Sequence, residues 1–165
     1  MRQDAVTLER FYASPLGSAA ARILSTKVID LWGDANNLSL LGLGYALPVL
    51  DAFGVHPGRS VAAVPFDHGP VRWDPTGRGN ATVSVGDLRG LEETGDPRAY
   101  LREIWRVMAP EGRIILAASN RAGLWSRATR TPFGQGRPWS RAQLMNLMSI
   151  GLFQVTASSS ALYMP

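Results

Sequence analysis

The chain has 165 residues, 45% of them hydrophobic and 18% charged, a balance that predicts one globular, soluble domain with a real core. It has no cysteine, which excludes disulfides, thiolate zinc sites and cysteine nucleophiles and predicts a cytoplasmic protein. The net charge is +4, yet the basic residues, all arginine except Lys27, form no run, so nucleic acid is not the expected partner.

No apolar stretch approaches the roughly 20 residues of a membrane helix, so no membrane partner is expected. His56 and His68 cannot make a metal site by themselves, and no metal is expected. Val6 to Tyr12 predicts a short helix with Leu8, Phe11 and Tyr12 on one side. Ser14-Pro15 then reads as a cap and first helical residue. The helix that follows carries Leu16, Ala20, Ile23, Leu24, Val28, Leu31 and Trp32 at helical spacing and stops at Gly33. These N-terminal helices, 1–33, precede an α/β core over 38–165 in a single domain of 1–165.

Leu38–Leu43 predicts the first strand. It runs into Gly42-Leu43-Gly44-Tyr45-Ala46, and Pro48 to Phe53 predicts the opening turns of a helix. A strand, a glycine turn and a helix form either a cofactor loop or a plain strand-to-helix joint. Ser60–Val64 and Ala81–Val85 predict further strands around a turn-rich segment, 66–80. Asp96 and Pro97 open the clearest helix, where Tyr100, Leu101, Ile104, Trp105 and Met108 line the predicted buried face. Ala109 to Gly112 is a turn, and the apolar run Arg113–Ala118 predicts a buried strand. Ser140 and Gln143 form a capping box for a helix through Ile150, stopped by Gly151. Phe153–Thr156 and Ala161–Met164 predict a late antiparallel hairpin. Strands alternating with helices predict an α/β fold, mainly parallel, in which ligands bind at the carboxyl ends of the strands.

The order of these pieces resembles the class I S-adenosylmethionine-dependent methyltransferases of the small type 11 sort. Three stretches carry the likeness: DPRAYLREIWRVMAPEGRIILAASNRAGLW over 96–125, TPFGQGRPWSRAQL over 131–144, and LLGLGYALPVL over 40–50. Pro110-Glu111-Gly112 matches the turn before the family's fifth strand. The resemblance implies a Rossmann-like sheet with S-adenosylmethionine as cofactor, lying against Gly42, Gly44, Tyr45 and Ala46, with Asp87 and Leu88 near the adenine. Asn120 ends the expected 113–118 strand, where α/β sites gather polar groups or where it caps a loop, and Arg137, Trp139 and Arg141 form either a substrate-side anion pocket or loop packing with surface charge.

The sequence also departs from the family. Gly42 stands where an acid usually precedes the first glycine, and Val64-Pro65 replaces the acid at the end of the second strand, with Asp67 the nearest substitute. Residues 86–95 are too few for the family's fourth strand, so the strand number is reduced, and Ala81–Val85 is expected to move into the vacant central slot. Three functions follow as expectations. The first is methyl transfer to an unknown small-molecule or macromolecular acceptor. The second is a non-catalytic methyltransferase-like protein acting through a protein partner or as a homodimer. The third is a basic RNA-binding module. No catalytic acid or base is assigned, since methyl transfer depends on alignment of electrophile and acceptor.

Overall fold

A computed structural model describes residues 5–53, 59–64, 81–84, 91 and 94–163. The chain divides into two compact units, Met1–Gly90 and Leu91–Pro165. No helix among the described residues is long and apolar enough to cross a membrane.

The first unit opens with α1 (Ala5–Ala13) and α2 (Pro15–Trp32). Ser14 separates them, and its hydroxyl accepts the Gly17 backbone N–H at 3.1 Å, satisfying one of the donors that a helix start leaves open. The two helices meet so closely that a Cβ on Gly17 would overlap the Phe11 carbonyl, so only glycine permits this corner. Gly33, at φ 74, ends α2 in a conformation that side chains disfavour.

Three short strands follow: β1 (Ser39–Leu43), β2 (Arg59–Val64) and β3 (Ala81–Ser84), with α3 (Leu47–Asp51) between the first two. They form a parallel sheet in the order β1-β2-β3, with Leu40 opposite Ser60 and Gly42 opposite Ala62. The period of two puts Leu40, Gly42, Ser60 and Ala62 on one covered face. There Leu40 and Ala62 join Ala35, Leu50 and Phe53 in a core, against which Val28, Trp32 and Leu47 pack. Leu41, on the other face of β1, is 51% exposed.

All three expected strands of this unit are present within a residue of their predicted limits, apart from Val85, which lies outside the described residues. The expected move of Ala81–Val85 into a central slot does not occur. β3 pairs with β2 on the side away from β1, and among the described residues β1 has no second neighbour. Chain order decides this placement, since consecutive strands pair with their nearest predecessors unless a longer connection carries them past.

The second unit holds α4 (Pro97–Val107) and α5 (Arg141–Ile150). Asp96 caps α4 through one carboxylate oxygen that accepts the N–H groups of Arg98 and Ala99, both at 3.0 Å. Ser140 and Gln143 make the predicted capping box in both directions, at 3.2 and 3.0 Å. α5 buries Leu147 and Met148, and its Gly151 lies against Leu101, where a Cβ would come within 2.9 Å of that leucine.

α4 buries a narrower arc than its apolar residues predict. Leu101 is fully buried and Ile104 nearly so, but Trp105 is 58% exposed. Helical geometry explains the correction: at about 100° per residue, Trp105 stands at the edge of the stripe, about 100° round from Ile104. The apolar pattern marked its width but not which side the neighbours cover.

Two further expectations fail. The run over 113–118 pairs with no strand among the described residues, and only an isolated parallel bridge joins Asn120 to Trp139 just beyond it. An apolar run asks for burial, but a strand exists only where a neighbour accepts its ladder of hydrogen bonds. The late hairpin is also absent among the described residues. Leu152 and Leu162 stand at φ 62 and 57, left-handed values that interrupt extended chain. Among the described residues the architecture is mixed helix and strand with a small, open parallel sheet and no closing hairpin, Met164 lying outside the described residues.

Leu101→Ala is expected to cost about 2–5 kcal/mol of stability, whereas Trp105→Ala should cost less than about 1 kcal/mol. Urea unfolding of the two variants checks this, and a larger loss at Trp105 would show that its ring is buried.

Candidate functional site

The glycine turn lies at the carboxyl end of β1. Gly44 adopts φ 75, so the reversal from strand into α3 uses a left-handed residue that glycine fills without strain. Gly42 is a glycine for another reason. A Cβ there would lie 2.6 Å from Leu50 Cδ1 and 2.7 Å from the Ala46 methyl group. Contacts this short force a shift, so the missing side chain is what lets α3 seat on β1. Ser25 fixes the same joint from α2, donating its hydroxyl proton to the Pro48 carbonyl at 3.0 Å.

Tyr45 leaves the turn and lies parallel to the Tyr12 ring of α1, with centroids 5.5 Å apart and planes 8° from parallel. Burial, and then the carboxylates of Glu9 and Asp51, push its phenol up to about 12. A phenol held neutral so far above physiological pH cannot act as a base there. The contribution of Tyr12 and Glu9 was not visible in the sequence, because α1 and the turn are more than thirty positions apart and share no motif.

These residues fit a packed joint better than a cofactor cradle. The space beside Gly42 is taken by Ala46 and Leu50, so a side chain there would force a shift. One face of the Tyr45 ring is covered by Tyr12. Only Gly44 keeps the backbone form that close ligand approach would need. Asp67, Asp87, Leu88, His56 and His68 lie outside the described residues. Among the described residues no group of three His, Cys, Asp or Glu side chains could hold a metal ion.

In the second unit the three substrate-side candidates come together. The Trp139 N–H donates to the Ser119 carbonyl at 2.8 Å, and the Arg121 N–H donates to the Trp139 carbonyl at 3.0 Å, which brings Asn120 beside Trp139. The Arg137 guanidinium sits 5.2 Å from the centroid of the Trp139 ring, a cation–π contact. Asn120 is committed to its own loop, where its side-chain oxygen accepts the Ala122 N–H at 3.0 Å. Arg141 donates to the Ser158 hydroxyl at 2.8 Å. Trp139 is buried, and of the three candidates Arg137 is the one that offers a cation to solvent. The cluster locks two loops together and presents one arginine.

Gly42→Ala is expected to destabilise the fold by about 1–3 kcal/mol through overpacking, and Gly44→Ala by about 1–2 kcal/mol through its left-handed backbone. Equilibrium unfolding reads both, and wild-type stability in Gly42→Ala would show that the joint has room. The pH dependence has a definite sign. Tyr45 in the folded chain keeps its proton above the ordinary phenol value of 10.0, so the unfolded chain ionises first. Its stabilising contribution is complete below pH about 10 and is lost as pH rises towards about 12. Loss of one late phenolate step in Tyr45→Phe, followed by absorbance, is the expected result, since burial also pushes the Tyr100 phenol up.

No protein-family model, no curated protein and no solved structure matches the chain.

Proposed function

We propose that the chain is a methyltransferase-like α/β protein that works by binding a macromolecular partner and does not transfer methyl groups. The observation that carries this reading is the filled space at Gly42, where Ala46 and Leu50 occupy the volume beside the turn. A cofactor held by such a turn needs bare backbone within reach, and a packed helix denies it. The absence of cysteine supports a reducing, cytoplasmic setting.

Methyl transfer from S-adenosylmethionine is the second reading. It is favoured by Gly44, whose left-handed backbone stands between β1 and α3 at the carboxyl end of a parallel sheet, where α/β ligands bind.

Calorimetric titration of the full chain with S-adenosylmethionine and S-adenosylhomocysteine separates the two. The partner-binding reading expects no saturable heat and no thermal shift at millimolar ligand. Saturable binding of either compound would overturn it in favour of methyl transfer.

A further inference from the structure

The arginines of this chain are scattered along the sequence, but helical geometry gathers several of them on α4. At about 100° per residue, Arg98, Arg102, Trp105 and Arg106 fall within an arc of about 100°, to one side of the buried Leu101 and Ile104. All four are exposed, the indole of Trp105 by 58%. Arg106 pairs with Glu103 at 2.8 Å, an exposed ion pair of the kind that contributes little. Arg98 and Arg102 make no side-chain hydrogen bond or ion pair among the described residues. Asp96, the nearest acid before them, is occupied in capping the helix.

We propose that this face of α4 binds single-stranded RNA, with a base stacked on Trp105 and phosphates held by Arg98, Arg102 and Arg106. The proposal rests on the partner-binding reading and names the partner. Charge complementarity selects a polyanion, and the guanidinium fork suits phosphate oxygens. The exposed indole selects among polyanions. Every base offers a flat face to an aromatic ring, whereas an acidic peptide would pair with the arginines and leave the indole in water. A duplex keeps its bases stacked on one another, so its interior faces are closed to Trp105. In the cytoplasmic setting proposed above, the single strand is RNA.

The test is fluorescence anisotropy of a labelled oligouridine strand with the full chain, with the same strand as DNA, an RNA duplex and polyglutamate as competitors. Saturable binding is expected, competed by single strands and not by polyglutamate or the duplex. With three phosphate contacts, raising salt from 50 to 200 mM should weaken binding by about tenfold to twentyfold. Trp105→Ala should weaken it about tenfold or more. Arg98→Gln with Arg102→Gln should weaken it and flatten the salt dependence by roughly two-thirds. All these positions are exposed, and circular dichroism of each variant confirms the fold. Trp105→Phe, which keeps a ring, should retain part of the affinity. Absence of binding at 50 mM salt, unchanged affinity in Trp105→Ala, or displacement by polyglutamate would each overturn the assignment. Calorimetry with S-adenosylmethionine is indifferent to these outcomes, so failure here and failure of the partner-binding reading are told apart.

Discussion

The seating of α3 on β1 governs the first unit. Gly42 has no side chain, so Ala46 and Leu50 can approach the strand to within ordinary contact. That approach brings Leu50 into the core with Leu40, Phe53 and Ala62, and turns Tyr45 towards the Tyr12 ring of α1. Packing of this density tolerates little change in volume, because protein interiors are filled nearly as tightly as crystals. The same closeness determines what the turn can do. A side chain at Gly42 has no room, whereas Gly44 keeps the left-handed backbone of the reversal.

The second unit depends on a comparable small-residue contact, between Leu101 of α4 and Gly151 at the end of α5. It leaves to solvent the flank of α4 that carries Trp105, Arg102 and Arg106. An amphipathic helix that shows arginines to water is ordinary; one that also shows a tryptophan exposes a large apolar ring whose burial would be worth roughly 1.5–3 kcal/mol or more. That difference makes the α4 surface the most informative one outside the turn. The Asn120, Arg137 and Trp139 cluster is of another kind, since the bonds of Trp139 to Ser119 and Arg121 run backbone to backbone and hold loops in place.

Glu111 stands in the turn that follows α4. At φ 59 it takes a left-handed conformation at some cost in backbone strain. Gly112 closes the turn behind it with its N–H on the Ala109 carbonyl at 2.9 Å. The geometry of the turn is fixed by that hydrogen bond and by the helix before it.

Local chemistry was legible from the sequence. Ser14, Asp96 and the Ser140–Gln143 pair cap the helices that their residue types announced, and Gly33 and Gly151 stop them, because capping is decided within four or five residues. The three strands of the first unit were legible too, as short apolar runs between helix signals. Pairing was not. Whether 113–118 joins a sheet, where β3 lies, and which side of α4 is covered all depend on neighbours far away in the chain. The candidate turn divides in the same way. The sequence by itself determined that a glycine reversal joins β1 to α3, since glycine is what a left-handed residue at Gly44 requires. Only the tertiary structure decided that Gly42 serves packing, because the atoms that fill its space belong to a helix whose position over the strand no local rule specifies.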